Sequence, residues 1–383
     1  MPRTAVIVGA GIGGLAAGIA LGRAGWSVRI VERASSPREL GFALALAPNA
    51  MAALRELGVA DAVERKGAEV DVFEVRRGDG SLLKRIDFRG GTARSVVTLR
   101  PALHGTLLDA VGPEALLLGR DVEGVAITPD GATVNLAGGT SLDAGVVIGA
   151  DGVGSAIRRQ LHPTEPPPRP SGYYALRGVT HDVPQRPGDV STTIYLGDGI
   201  EAGVARASAT SFYWYMSLAD EYVPSTGASA PEILEACTQG MDQRFVSIAR
   251  AASLDNLRLE RLWTRDPIRE WGQGPVTLLG DAAHPVLPHT AQGAALALED
   301  AVALGLALAP DGDPAAALRR YEAIRARRTR HVVRAGPRIA AMTTTRSRAR
   351  ALARNAMIRL LPGTVLAAVL NLHARDPHRP LRR

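Results

Sequence analysis

The sequence predicts an α/β fold built on a Rossmann-type parallel sheet, joined by a mixed β-sheet and a helical C-terminal segment. Three runs of glycine and aspartate predict it: Gly9-Ala-Gly11-Ile-Gly13-Gly14 at the start, Gly149-Ala-Asp151-Gly152 in the middle and Gly280-Asp281-Ala-Ala-His284-Pro285 late. The first alone is weak, because a G-x-G-x-x-G run also arises by chance in a glycine-rich chain. The three in this order are specific.

Residues 4–8, Thr-Ala-Val-Ile-Val, form an apolar run of strand type, and the glycines follow at once. An alanine-rich stretch over 13–23 then reads as a helix. Gly9 permits a tight turn, Gly11 lets the backbone approach a pyrophosphate, and Gly14 allows the helix to pack closely on the strand. The helix N-terminus adds unpaired N–H groups and the positive end of a dipole. Residues 27–31 are a second parallel strand, and at its end stands Glu32, where a carboxylate can accept the hydroxyl hydrogens of an adenosine ribose. Its charge would repel a 2′-phosphate, so NADP is not expected in this site.

Further along, residues 41–49 lead into a helix near 50–57. Residues 70–77 and 82–88 read as a hairpin about Gly78-Asp-Gly80, and Gly138-Gly139 marks another. The proline-dense stretch 163–170 is a stiff linker. Strand-like runs at 173–183, 191–196, 202–207 and 212–218 suggest a mixed sheet forming one wall of a cavity. Residues 276–279 are a buried strand that Gly280 and Asp281 end; a loop punctuated by Pro285 and Pro288 leads into an apolar helical pattern over 292–309. Asp281 can hold a ribityl hydroxyl. The helix start around Ala291-Gln292-Gly293-Ala294 would aim its dipole at a flavin ring beyond the loop, stabilising the charge that the ring carries when reduced. Together the motifs point to bound FAD.

On these residues the chain resembles the single-component flavoprotein aromatic hydroxylases, the class of p-hydroxybenzoate, salicylate and urate hydroxylases, over nearly its whole length. The resemblance implies that Gly9, Gly11, Gly13, Gly14, Glu32 and Arg33 hold the ADP half of FAD. Asp151, in Val146-Val-Ile-Gly-Ala-Asp-Gly-Val-Gly-Ser155-Ala-Ile-Arg158, is associated with FAD and a transient nicotinamide, and Arg100, in Arg100-Pro-Ala-Leu-His-Gly-Thr-Leu107, contacts the flavin. Val122, Asp281, Gln292, Gly293 and Ala294 complete the expected cofactor set. Many members carry an amide where this chain has Ala295, which bears on how the ring is positioned. Cofactor-domain and substrate-domain segments are expected to interleave: 1–70, 98–165 and 263–320 in the FAD-binding domain, 71–97 and 171–262 in the substrate-binding sheet domain, and 321–383 as a basic helical segment.

The chemistry implied by the resemblance is that of a monooxygenase: NADH or NADPH reduces FAD, O2 adds at C4a, and the hydroperoxide gives one oxygen atom to an aromatic or other electron-rich small molecule. No metal is expected, because the eight histidines are scattered and only His284 and His289 share a loop. A same-fold epoxidase, a Baeyer–Villiger-type oxygenase, or a flavin-binding regulatory protein with a silent site are the alternatives. A halogenase is disfavoured, since no W-x-W-x-I-P run is present.

With 383 residues and 46% hydrophobic content the chain can fill two domain cores. One cysteine, Cys237, excludes an intrachain disulfide; no charged-then-apolar leader and no long apolar span appear, so a reducing cytoplasm is the default. Residues 319–354 hold twelve arginines against Glu322 alone, which leaves the preceding body net acidic despite an overall charge of +7. Nucleic-acid binding lacks a motif; self-packing of this segment is the first reading and peripheral membrane contact the second. Monomer and dimer stay open.

Strand alternation over 212–217 sends Phe212, Trp214 and Met216 to one face and Tyr213, Tyr215 and Ser217 to the other. The apolar set suits packing, while two phenols and a hydroxyl suit a cavity that stacks on a ring and bonds its substituents. Tyr213 and Tyr215 are the candidate substrate residues, with Arg177 as a guanidinium for a carboxylate and His289, just before the helix start, as an orienting group. Exposed tyrosines, a surface ion pair at Arg177 and a solvated loop histidine are the plainer readings of the same residues. His284 is expected to brace its loop.

Overall fold

The computed structural model describes residues 3–36, 42–89, 94–183, 190–223, 227–309 and 311–370. Gly41, the head of one predicted segment, and Arg375, Arg379, Arg382 and Arg383 of the basic run lie outside them.

The chain begins with β1 (Thr4–Val8), α1 (Ile12–Arg23) and β2 (Ser27–Glu32), then β3 (Ala43–Leu46), α2 (Pro48–Glu56), α3 (Ala60–Lys66) and β4 (Ala68–Glu69). The hairpin β5 (Val72–Arg77) and β6 (Leu82–Asp87) follows, then β7 (Val96–Leu99), α4 (Arg100–Val111) and β8 (Leu116–Leu118). A meander of β9 (Val122–Thr128), β10 (Gly131–Leu136) and β11 (Thr140–Ala144) leads to β12 (Val146–Gly149) and α5 (Ala156–Leu161). Next come β13 (Arg169–Thr180), β14 (Thr192–Leu196), β15 (Ile200–Arg206) and β16 (Phe212–Ala219), then α6 (Ala230–Cys237), α7 (Gln243–Arg250) and β17 (Leu257–Thr264). The chain continues through β18 (Val276–Leu278), α8 (Gly293–Leu308), α9 (Pro314–Thr343), α10 (Arg348–Leu360) and α11 (Gly363–Leu370).

Five parallel strands form the first sheet, in the order β18-β12-β1-β2-β8. The near-continuous burial of β1, β12 and β18 explains their apolar runs, since helices cover a parallel sheet on both faces. The order has a consequence for the motifs. β18, β12 and β1 are neighbours, so the Gly280, Asp151 and Gly9 loops leave the same edge of the sheet side by side, although some 270 residues separate the outer two (280 minus 9). Helix α8 crosses α1 closely because Gly305 carries no side chain: a Cβ there would meet Ala20 at 3.0 Å.

The second sheet has seven strands, β17-β13-β16-β15-β14-β5-β6, antiparallel except where β14 runs parallel to β5. Leu176, Val204, Trp214 and Met216 pack on one face with Ile233 and Phe245 of α6 and α7. The predicted linker ends earlier than its last proline, because Pro170 already belongs to β13. It pairs only with Trp263 of β17, and pairing with β16 starts at Tyr173, so the absent N–H breaks no ladder on the inner side. A small sheet, β3-β7-β4, was not legible in the sequence; its strands are two to four residues long, too short for a periodic signal.

The arginine-rich α9 spans 30 residues and lies against α8. Its Arg325 is fully buried and its Arg319 donates to the carbonyls of Gly272 and Val276. Leu361 and Pro362 separate α10 from α11, where proline ends one helix and permits the next. No helix among the described residues is long and apolar enough to cross a membrane.

Candidate active site

The first glycine loop has two tight positions and one open one. Gly9 sits at φ 106° beneath the Ala150 carbonyl, and a Cβ on Gly14 would overlap the Gly9 carbonyl oxygen and lie 3.0 Å from its carbon. At Gly11 a Cβ would meet nothing within 4 Å, and this residue is the N-cap of α1, with no side chain closing the helix end. The backbone there is therefore free to face a ligand. Gly13 packs against Leu279 and Ala297, tying the first loop to β18 and α8. Glu32 is half-buried: its Oε2 accepts from Ala10 N–H at 2.9 Å and its Oε1 from Ala34 N–H at 3.0 Å, leaving lone pairs on each oxygen. Arg33 is exposed. His104, unanticipated, bonds the Ala10 carbonyl through Nε2 at 2.8 Å and so fastens α4 to the loop. Arg100 opens that helix.

At the late motif, Gly280 (φ 60°) donates its N–H to Asp300 Oδ2 at 3.0 Å. Asp281 is crowded by surrounding protein although the residue as a whole is exposed to solvent. That enclosure raises its pKa, with His284 and Arg100 acting in the opposite sense. His284 is turned inward, 2.5 Å from Asp300. Beneath the loop runs a buried network: Arg325 Nε donates to Asp300 at 2.6 Å and Nη1 lies 2.8 Å from Glu299, while Arg328 Nε donates to Glu299 at 2.5 Å. Asn49 of α2 donates to both Glu299 (2.7 Å) and Gln292 (3.0 Å). Burial alone would push the Asp300 pKa up, but His284 and Arg325 hold it well below the usual carboxylate range. Two acids inside an otherwise apolar α8 were the signal for this network, because buried charges need partners.

Gln292 is thus a buried N-cap residue of α8, while Gly293 and Ala294 are half-exposed at the helix start. Ala295 points into the core. Ala291 holds a left-handed conformation, φ 50° and ψ 27°, that a residue with a Cβ adopts only at a cost.

In the middle motif, Asp151 Oδ2 caps α5 by accepting from Ala156 N–H at 2.7 Å, and its Oδ1 has no partner. Arg158, seven residues on, is fully buried. It donates to Glu165 through Nε and Nη2 and to the carbonyls of Ala282 and Ala283 at 3.0 and 2.8 Å. One guanidinium therefore holds the late loop in place from the middle motif, a role sequence reading missed. Val122 lies in the core at the start of β9, its side chain buried.

The face of the seven-stranded sheet turned away from α6 and α7 carries Tyr213, Tyr215 and Ser217. The two phenol rings stack with centroids 6.0 Å apart, and Tyr215 donates to Glu201 Oε1 at 2.7 Å. Burial raises both phenol pKa values. Ser217 Oγ and His289 Nε2 are 2.6 Å apart, and the Tyr173 ring packs edge-on against the imidazole. Burial lowers the His289 pKa. Arg177, on the neighbouring strand opposite Tyr215, is held by Glu260 at 3.1 Å, so its charge is already compensated. The structure therefore groups Tyr213, Tyr215 and His289 with Glu201, and sets Gly11, Glu32, Asp281 and Gly293 at the end of the parallel sheet where its loops leave; Arg33 follows Glu32, and the chain entering β9 meets Glu32 through the bond from Arg120 N–H to its carbonyl. Among the described residues no cluster of histidine, cysteine and carboxylate groups could hold a metal ion.

Residues 3–336 match the family model for an FAD binding domain. The chain is 36% identical over 343 residues to an aurachin C monooxygenase/isomerase of Stigmatella aurantiaca, covering 88% of each protein. It is 31% identical over 352 residues to an FAD-dependent urate hydroxylase of Klebsiella pneumoniae subsp. pneumoniae, covering 86% of this chain and 87% of that one. The crystal structure of Klebsiella pneumoniae HpxO complexed with FAD and uric acid matches with a TM-score of 0.88 at 27% identity, over 97% of this chain and 96% of that one.

Proposed function

The chain belongs to the FAD-binding-domain family of flavin monooxygenases, and from that premise we propose that it uses NADH or NADPH and O2 to place one oxygen atom on an aromatic small molecule held against the Tyr213 and Tyr215 face. It is an FAD-dependent monooxygenase. The residues fit the cofactor: Gly11 leaves space that a Cβ would fill, Asp281 is solvent-exposed beside the late glycine turn, and Asp151 retains an unpartnered oxygen. In this reading Gly11 and the α1 N-terminus seat the pyrophosphate, Glu32 accepts from the ribose, Asp281 accepts from the ribityl chain, and Arg100 and the start of α8 lie toward the ring. Bound FAD supplies the electron transfer and the oxygen-transferring chemistry.

The observation that carries the substrate assignment is the 2.6 Å bond between Ser217 and His289. It fastens the sheet face to the turn that enters α8, so the tyrosines and the cofactor loop bound one space. Those side chains orient the ring and exclude water. A single buried cysteine fits a cytoplasmic location. Purified protein should be yellow and release FAD, not FMN. A panel of phenolic and heteroaromatic acids and amides should contain compounds that stimulate NAD(P)H oxidation and emerge hydroxylated. A flavin-loaded protein that no ring compound stimulates would instead be a silent binding module.

A further inference from the structure

Glu201 is a buried carboxylate that sequence reading did not single out. It lies on β15 in register with Ser217 and is 4% exposed. Gly203, two residues on, stands opposite Tyr215, and a Cβ there would collide with the phenol ring. The absence of that side chain lets the ring lie over β15 and carry its hydroxyl to Glu201. A phenol has one proton to donate and two lone pairs to accept with. At 2.7 Å from a carboxylate, the Tyr215 proton is committed, and only its acceptor side remains for a ligand.

The neighbouring groups act in the same sense. Arg177, the cation nearest in register, is held by Glu260. Arg354 of α10 is close enough to feel the Glu201 charge, but its Nη1 donates to the carbonyls of Met342 and Thr343 and its Nε to Asn355. No guanidinium is thus left to anchor an anion among these groups. Glu201 Oε2, which has no hydrogen-bond partner, would repel one.

We propose that Glu201 is a positioning residue that makes Tyr215 a hydrogen-bond acceptor, so that the site takes a neutral aromatic or heteroaromatic ring bearing an O–H or N–H donor in preference to a ring anchored by a carboxylate. The inference rests on the reading of this face as the substrate wall. Four probes separate its parts: 3-hydroxybenzamide, 3-methoxybenzamide, 3-hydroxybenzoate and 3-methoxybenzoate. Binding to FAD-loaded enzyme is read from the flavin absorbance change, and turnover from NAD(P)H oxidation.

The wild type should bind 3-hydroxybenzamide roughly tenfold more tightly than its methyl ether, the worth of one neutral hydrogen bond, and more tightly than 3-hydroxybenzoate. Glu201→Leu frees the phenol proton and Glu201→Gln removes the charge while keeping the shape. Glu201→Leu should bring the hydroxyl-to-methoxy ratio toward one with FAD still bound, and Tyr215→Phe should do the same; Glu201→Gln, whose amide oxygen can still accept the phenol proton, should instead relieve the repulsion of the benzoates. Adding Glu201→Leu to Tyr215→Phe should change the ratio no further, since one residue acts through the other. Equal binding of the methyl ether, tighter binding of the benzoates, no binding of any probe, or a ratio untouched in Glu201→Leu and Tyr215→Phe would each overturn the proposal. If ring compounds still stimulate NAD(P)H oxidation in such a case, the monooxygenase reading stands without it.

Discussion

Gly11 and Gly14 are three residues apart in one motif, yet their substitution should have opposite outcomes. A Cβ at Gly14 falls inside the Gly9 carbonyl and 3.5 Å from Ala150 Cβ, with backbone on the crowded side, so nothing there can swing away. Separating α1 from β1 to admit a methyl group costs about 1–3 kcal/mol or more, the usual range for overpacking a core. At Gly11 the same methyl group meets nothing within 4 Å, and the φ of −71° and ψ of 180° suit any residue. Alanine for glycine at an N-cap costs only a few tenths to about 1 kcal/mol. What Gly11 substitution does remove is close approach of a pyrophosphate to the first N–H groups of α1. Each charge-assisted hydrogen bond is worth about 1.5–3 kcal/mol, so losing one lowers FAD affinity roughly 10- to 100-fold. The assay is a pair of measurements on flavin-stripped protein: the thermal midpoint, and the FAD dissociation constant from flavin fluorescence. Gly11→Val should melt close to wild type and bind FAD weakly, whereas Gly14→Ala should melt lower before any cofactor is added. Wild-type FAD affinity in Gly11→Val, or a wild-type midpoint in Gly14→Ala, would refute this assignment of the loop.

Three further outcomes follow from the site. Tyr213→Phe should retain FAD and the fold while lowering the fraction of NAD(P)H oxidation that yields hydroxylated product, measured as peroxide released per nicotinamide consumed. Burial lowers the His289 pKa, so below about pH 6.5 the unfolded chain binds a proton that the folded chain resists. Folding stability should therefore fall as pH drops from 6.5 to 5, and His289→Asn should lose less over that interval, as urea unfolding at each pH would report. Asp300→Asn leaves Arg325 and His284 short of their shared anion and should destabilise the protein by about 3–5 kcal/mol, visible in the urea midpoint.

Much of the cofactor side could be read from the sequence because glycines, strand runs and a strand-end carboxylate are local signals. Gly9 and Gly14 have positions so crowded by backbone that no Cβ fits, and Gly280 has a left-handed one that favours glycine, so chemistry and backbone demand coincide at single residues. What could not be read depends on strand order. The bond from Arg158 to the Ala282 and Ala283 carbonyls exists only because β12 lies beside β18, and Asn49 meets Glu299 across 250 residues. Alternation predicted which tyrosines share a face, but it carries no information about the strand opposite, where Glu201 and Gly203 stand. Arg177 shows the converse limit: a guanidinium near a candidate site says nothing of the acid across the next strand that engages it.

The buried network under α8 also bears on the order in which the molecule can become competent. The glycine loop is complete once residue 32 has been made, but the bracing of Gly280 and His284 runs through Asp300 to Arg325 and on through Glu299 to Arg328, on a helix that ends at Thr343. A ribosome holds the last few tens of residues in its exit tunnel. The N-terminal βαβ unit therefore emerges long before the groups that rigidify the opposite side of its ligand cleft. Cofactor capture is accordingly expected late in the life of the nascent chain. Chains truncated within α9 should accumulate as colourless protein that has a Rossmann sheet and cannot retain flavin.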